Sequence, residues 1–234
     1  MRRLGILIVL ASALSTFRVL SQERLYSISF YGSYTTSSKL YYSPDDPNDI
    51  VRAQNIPIDQ IFGIGFDVRR SFGESGVQIG LSVERLYKTQ IEYLPVDPSG
   101  YTPITDGYLV FPVEFTGYFT IPFSNETVQM YMGGGGGAYF GERQYVEGGT
   151  SARVIDKTTN FGIHVLTGLQ FNFQSSLAVR CEVKFRDVQF KSTNAFTTPI
   201  TYDNGNFIPL STQPFDSRIS IDGIVMMIGL AYRF

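Results

Sequence analysis

Tryptophan is missing from this chain altogether, and cysteine and histidine occur once each. A single Cys181 excludes an intramolecular disulfide. It alternates with Val179 and Val183 and reads as a small apolar surface residue. Charge is also scarce: 19 Lys plus Arg stand against 21 Asp plus Glu, which leaves no basic excess to hold nucleic acid. Long apolar runs are absent beyond the first 21 residues, so no segment offers the ~20 apolar residues of a membrane helix. Any membrane crossing must therefore be made by strands, which satisfy their backbone polar groups in a closed sheet. No cofactor or metal site is expected. What the chain has in abundance is 15 Tyr, 19 Phe and 23 Gly.

The amino terminus reads as a secretory signal: Arg2 and Arg3, an apolar run from Leu4 to Leu14, then small residues. Arg18 interrupts the run, which is too short for an anchor. Cleavage after Ser21 gives residues 1–21 as signal peptide and 22–234 as one domain; cleavage after Ser15 is the alternative. No cysteine lies near either site for lipoprotein processing. Losing Arg2, Arg3 and Arg18 leaves 16 basic against 21 acidic residues, a mature charge of about −5.

At the other end, Ile224, Met226, Ile228, Leu230, Tyr232 and Phe234 form an unbroken apolar and aromatic row at every second position. The intervening residues are mostly small. Period two places the two sets on opposite faces of a strand. Seven further stretches alternate in the same way: Leu25–Thr35, Gln60–Arg70, Gly76–Lys88, Tyr108–Ile121, Thr127–Phe140, Asn160–Phe173 and Leu177–Phe190. Each is long enough to cross a bilayer at a tilt. The connections alternate strictly. Ser71–Ser75, Pro122–Glu126 and Gln174–Ser176 are tight, whereas Thr36–Asp59, Thr89–Gly107, Gly141–Thr159 and Lys191–Ser217 are long. Proline and Asp/Asn collect in the long ones, as at Pro44–Pro47 and Asp97–Pro98. Short turns at one end and long loops at the other are the asymmetry of an outer-membrane barrel. The expected fold is all-β: an eight-stranded antiparallel up-and-down transmembrane β-barrel.

A soluble eight-stranded barrel such as a lipocalin would turn its apolar face inward. Here that face carries bulky Phe and Tyr, while the other is rich in small residues such as Gly63, Gly65, Gly80, Ser82 and Gly168. Small residues suit a crowded interior, and the lipocalin Trp signature is absent. Lipid then meets the apolar face, with girdles built from Tyr and Phe.

On these residues the chain resembles the small outer-membrane β-barrel superfamily of OmpA-transmembrane, OmpX and opacity-type proteins, in its Bacteroidetes-type form. Phe111, Pro112, Val113 and Glu114 with the Gly-rich fifth strand are similar to that family's middle hairpin. Gly229, Tyr232 and Phe234 resemble its carboxy-terminal assembly signal, departing from the pattern at Met227. The resemblance implies the outer membrane of a Gram-negative bacterium, with both mature termini periplasmic. The implied partners are lipopolysaccharide and outer-membrane lipid, the barrel-assembly machinery and periplasmic chaperones, with a monomer expected.

The inward charges form the most informative constellation. Glu84, Glu114, Arg180, Glu182 and Lys184 are placed at intermediate depth, with Asp67, Arg69 and Arg233 nearer the turn end. In a narrow lumen they should pair, since an isolated buried charge is costly. They read either as a structural polar plug or as the contacts of a gated pore. Gly133–Gly137 lacks the Lys-Ser/Thr of a phosphate loop. His164 lacks the His-x-Ser pairing of a lipid A deacylase, because position 166 is Leu. Arg85, outward beside Tyr87, either meets lipopolysaccharide phosphates or snorkels. Three functions remain open at this point: a structural or surface-interaction barrel, a narrow porin-like channel for small solutes, and a lipid A-modifying enzyme.

Overall fold

The computed structural model describes residues 25–96, 100–125, 127–203 and 206–234. The expected signal peptide, the Asp97–Pro98 pair and Glu126 lie outside the described residues.

Eight long strands build the molecule: β1 (Tyr26–Tyr41), β2 (Asn55–Ser71), β3 (Val77–Val96), β4 (Gly100–Thr120), β5 (Val128–Glu147), β8 (Thr159–Asn172), β9 (Leu177–Ala195) and β13 (Ile224–Arg233). Each pairs antiparallel with its chain neighbour, and β1 closes the ring on β13 from Ser27↔Arg233 to Thr35↔Val225. Closure removes the free edges that an open sheet would expose to lipid. Alternation then does the sorting. Phe30, Ile64, Leu81, Phe115 and Ile228 point outward and are half to two-thirds exposed. Their neighbours Ser29, Gly65, Ser82, Glu114 and Gly229 point into the lumen. Two aromatic rows bound the apolar band. Tyr26, Phe72, Phe119, Tyr232 and Phe234 lie at the turn end, and Tyr34, Phe62, Tyr87, Phe111, Phe140 and Phe161 toward the loop end. Arg70 tops the first row, 5.6 Å from the Tyr26 ring and 5.3 Å from that of Phe72.

The strands continue past the expected boundaries at the loop end. Thr89–Gly107, read from sequence as a long loop, is instead the upper part of a hairpin, paired from Thr89↔Gly107 to Val96↔Gly100. Above the lipid band both faces are wetted, so the apolar–polar alternation fades while the ladder itself persists. The other connections keep more length. One carries a short helix, α1 (Asp49–Arg52), capped by the Asn48 side chain, which accepts from Ile50 N at 3.0 Å. Another carries β6 (Thr150–Ser151) and β7 (Arg153–Lys157). The last holds a separate hairpin, β10 (Ile200–Asp203) with β11 (Asn206–Pro209), and then β12 (Phe215–Ile221).

Above the band the inward parity of two adjacent strands slips by one. It does so at Thr36–Ser37 in β1 and at Asp59–Gln60 in β2. Gln60 has φ 57°, an unusual backbone for a non-glycine residue. A bulge of this kind re-aims the side chains beyond it. Leu40 and Ile58 thereby turn into the lumen and join Ile219, Ile221, Ile61, Leu86, Tyr108, Val110, Tyr139, Val188 and Phe190 in a buried apolar layer.

Candidate functional site: a layered barrel interior

Nearest the turn end, β1, β2 and β9 bring Asp67, Arg69, Arg180 and Glu182 together. Arg69 Nη2 lies 2.6 Å from Asp67 Oδ2 and 2.5 Å from Glu182 Oε1, and Arg180 Nη1 is 3.2 Å from Asp67 Oδ1. Neutral groups take up the remaining capacity. Ser29 donates to Asp67 at 2.5 Å, Tyr131 donates to Glu182 at 2.5 Å, and Arg180 donates to Ser27 at 2.7 Å and Gln170 at 2.8 Å. The Arg69 guanidinium also lies over the Tyr118 ring at 4.0 Å. This layer settles below the level expected from sequence for Arg180 and Glu182, because barrel strands are tilted and hydrogen-bonded rows are not level rows. Below it opens a polar vestibule lined by Arg69, Arg180, Arg233, Gln78, Gln129 and Gln170.

A second layer sits above the first. Glu84 pairs with Arg186 at 2.7 Å, and Glu114 with Lys184 at 2.5 Å; Arg186 Nη1 reaches Glu114 Oε1 at 4.0 Å. Ser33 donates to Glu84, and Tyr139 donates to Glu114 at 2.6 Å. The close walls that allow this packing depend on glycine. A methyl group at Gly65 would run into the Tyr31 ring, and one at Gly168 into the Tyr131 ring. Each tyrosine lies across the strand from its glycine, Tyr31↔Gly65 and Tyr131↔Gly168.

Next comes the apolar layer. Near the mouth stands a last pair, Asp106 with Arg143 at 2.6 Å, ringed by Tyr42, Tyr145 and Phe215 at 5.0, 4.6 and 5.6 Å. Burial pushes the Tyr42 hydroxyl above its ordinary pKa, and Asp106 and Glu92 add to the shift. Phe196, Ile208 and Leu210 pack with Ala152, Tyr145 and Phe215 and cap this end. Across the three ionic layers Asp67, Glu182, Glu84, Glu114 and Asp106 are matched by Arg69, Arg180, Arg186, Lys184 and Arg143. Among the described residues, these three layers are charge-balanced.

Sequence reasoning did not single out Arg186, Asp106, Arg143 or the lumen tyrosines. Arg186 simply continues the every-second-residue row through Arg180, Glu182 and Lys184, a usable signal. Asp106 and Arg143 fell in stretches taken for loops. His164 Nε2 lies 2.8 Å from Thr116 Oγ1, and its Nδ1 is 3.9 Å from Glu114 Oε1. The order resembles nucleophile, base and orienter. However, 3.9 Å is too long for a hydrogen bond, and Thr116 and His164 are both only 2 % exposed. Nothing reaches them. Among the described residues, no group of three or more His, Cys, Asp or Glu could hold a metal ion.

At the seam of the barrel Gly229 faces inward against Tyr31, across from it in the ladder. Phe234 completes the pairing. Its N–H donates to Tyr26 O at 2.9 Å, its carbonyl accepts from Tyr26 N at 3.1 Å, and its ring lies 6.1 Å from those of Tyr26 and Tyr232.

No protein-family model and no curated protein sequence matches the chain. Solved structures do. The outer membrane protein OprG from Pseudomonas aeruginosa aligns over 89 % of this chain and 95 % of its own, with a TM-score of 0.53 and 13 % identity. Neisserial surface protein A gives 0.47 at 10 % identity, over 89 % of this chain and 97 % of its own. The attachment invasion locus protein Ail of Yersinia pestis gives 0.45 at 15 %, over 91 % and 100 %. At such identities the likeness to OprG speaks to fold alone. Together with the closed eight-stranded ring and its outward apolar band, it places the chain in the fold of the small outer-membrane β-barrel superfamily.

Proposed function

We propose that the protein is a closed, non-enzymatic barrel of the Gram-negative outer membrane that serves a structural or surface-interaction role through its long-loop end. In this reading residues 1–21 are a signal peptide, the tight turns and both mature termini are periplasmic, and the upper hairpins face outward from the cell. The observation that carries it is the filled lumen: two charge-balanced layers, an apolar layer and a third ion pair follow one another with almost no exposed side chain. An eight-stranded interior is just wide enough to be filled in this way. Opening a pore would mean parting buried ion pairs, and leaving one partner alone costs about 3–5 kcal/mol.

Catalysis on outer-membrane lipid finds no support in an arrangement whose sole histidine is sealed inside. Lipopolysaccharide remains the natural neighbour of Arg85, whose guanidinium lies 5.4 Å from the Tyr87 ring centroid in the loop-end girdle. The Gly229, Tyr232 and Phe234 set would present the terminal strand to the assembly machinery, after periplasmic chaperones deliver the chain. Single-channel recording of the purified protein tests the main proposal. No stable unitary conductance is expected, and a reproducible conducting state would contradict it.

A further inference from the structure

Arg186 spans the lumen. It stands on β9 and pairs with Glu84 on β3, and those strands lie four places apart in the ring of eight. Its guanidinium therefore sits near the barrel axis, and the residue is fully buried. Nη2 is satisfied by Glu84, but Nε and Nη1 have no hydrogen-bond partner. His164 stands beside Arg186 in the β8–β9 ladder and has the same deficit at Nδ1. Such groups rarely stay unpaired, because burial without a partner forfeits their hydration.

Two of these atoms face one oxygen. Nη1 of Arg186 lies 4.0 Å and Nδ1 of His164 3.9 Å from Glu114 Oε1. Both separations are too long for a hydrogen bond, yet each suits a bridge made by a single small molecule. A bridging oxygen about 2.8 Å from both ends of such a gap makes an angle of roughly 90°. The neighbouring wall is bare at this level. β5 runs between the strands of Glu114 and His164, placing Gly137 opposite the first and Gly135 opposite the second. A methyl group at Gly137 would press on the Glu114 side chain. Tyr139, next on the same face of β5, donates to the same Oε1 at 2.6 Å.

We infer that the second ionic layer binds one ordered water molecule, held by Arg186 Nη1, His164 Nδ1 and Glu114 Oε1. The class of ligand follows from these three atoms. The guanidinium demands an acceptor, the carboxylate demands a donor, and the imidazole nitrogen takes either role with its tautomer. Water meets all three, the usual number of bonds for a buried water. A halide would face the carboxylate with no proton to offer, and a metal cation would face the guanidinium. Charge argues the same way, since Glu84 and Glu114 already balance Lys184 and Arg186. The molecule would be enclosed as the barrel closes. The apolar layer with Leu86, Tyr108 and Val110 lies above it, and the Asp67, Arg69 and Glu182 layer below. It gives the sole histidine a part in the lumen and ties Arg186 to the second carboxylate of its layer. This inference concerns how the lumen is filled and does not rest on what the loop end binds.

High-resolution crystals of the full mature barrel, grown from a lipidic mesophase, test the site. A water peak within about 3.2 Å of all three atoms is expected. Crystals grown in sodium bromide should give no anomalous signal at that position. His164→Asn keeps a polar atom near the place of Nδ1 and should retain the peak, whereas His164→Leu should lose it. Heat-modifiable mobility checks that both variants are folded, and the wild-type and bromide crystals decide the matter even where a variant fails to fold. Absence of the peak, with or without direct contact between Arg186 Nη1 and Glu114 Oε1, would overturn the inference. An anomalous bromide peak at the site would overturn it in favour of an anion. A peak unchanged in His164→Leu would overturn it as well, because the histidine would then be no part of the site.

Discussion

Lys184 shows how single residues hold this interior together. Its ammonium lies 2.5 Å from Glu114, whose other neighbours are the Tyr139 hydroxyl and, at 4.0 Å, Arg186. Replacing Lys184 with Met leaves the Glu114 carboxylate short of a cation inside the barrel. The expected loss is about 3–5 kcal/mol, the cost of orphaning a buried charge. The double variant Lys184→Met/Glu114→Gln removes both charges and should recover most of it. Urea unfolding of the refolded barrel in bilayers measures both together with Glu114→Gln alone, and a double-variant loss equal to the sum of the two single losses would mean that the pair is not coupled. On the lipid side the sign reverses. Leu81 is 52 % exposed near the middle of the band, and Leu81→Arg should cost ~2–4 kcal/mol, against about 1 kcal/mol or less for Leu81→Val. The same urea titration reads the difference, and an arginine tolerated at Leu81 would mean that the outward face does not meet lipid.

At the scale of elements, period two made all eight strands legible, because within lipid each strand has one apolar and one polar side. That signal stops where lipid stops. Thr89, Ile91, Tyr93 and Thr105 sit in strands whose two faces both meet water or protein, so alternation no longer marks them, and the ladder from Thr89↔Gly107 upward was hidden. Asp106 and Arg143 were hidden with it. The parity slip was equally illegible. Nothing in Thr36–Ser37 or Asp59–Gln60 announces that Leu40 and Ile58 turn inward, since the slip is a concerted property of two neighbouring strands. The polar layers were legible in composition but not in grouping. Period two puts Asp67, Arg69, Glu84, Glu114, Arg180, Glu182 and Lys184 on the inward face, whereas strand tilt decides which of them meet. For the terminal element, deleting Phe234 removes two backbone hydrogen bonds to Tyr26 and a ring packed between Tyr26 and Tyr232. That is a small share of an eight-stranded barrel, so the expected defect lies in the rate of assembly. Time courses of heat-modifiable mobility in cell envelopes should show precursor persisting, with normal final stability. Unchanged kinetics would sink the assembly-signal role and leave the barrel intact.

Taken as a whole molecule, the chain builds a cylinder that is apolar outside and filled inside. The outward band fits it to a membrane, and the balanced ionic layers let small, short-range contacts fill a lumen too narrow for bulk water. These two features are linked by the strand itself, since every residue given to lipid fixes its neighbour in the lumen. The most direct test of a filled lumen reads water access along one strand. Single cysteines are placed at Gln78, Ser82 and Leu86 on the inward face of β3, in a Cys181→Ala background, and the folded barrel in bilayers is exposed to a charged, membrane-impermeant thiol reagent. Gln78 lines the polar vestibule, Ser82 lies at the level of the ionic layers and Leu86 in the apolar layer. Only the cysteine at Gln78 should react, with the other two modified only after unfolding. Rapid modification of the cysteines at Ser82 and Leu86 in the folded protein would reveal a continuous water path and contradict the account.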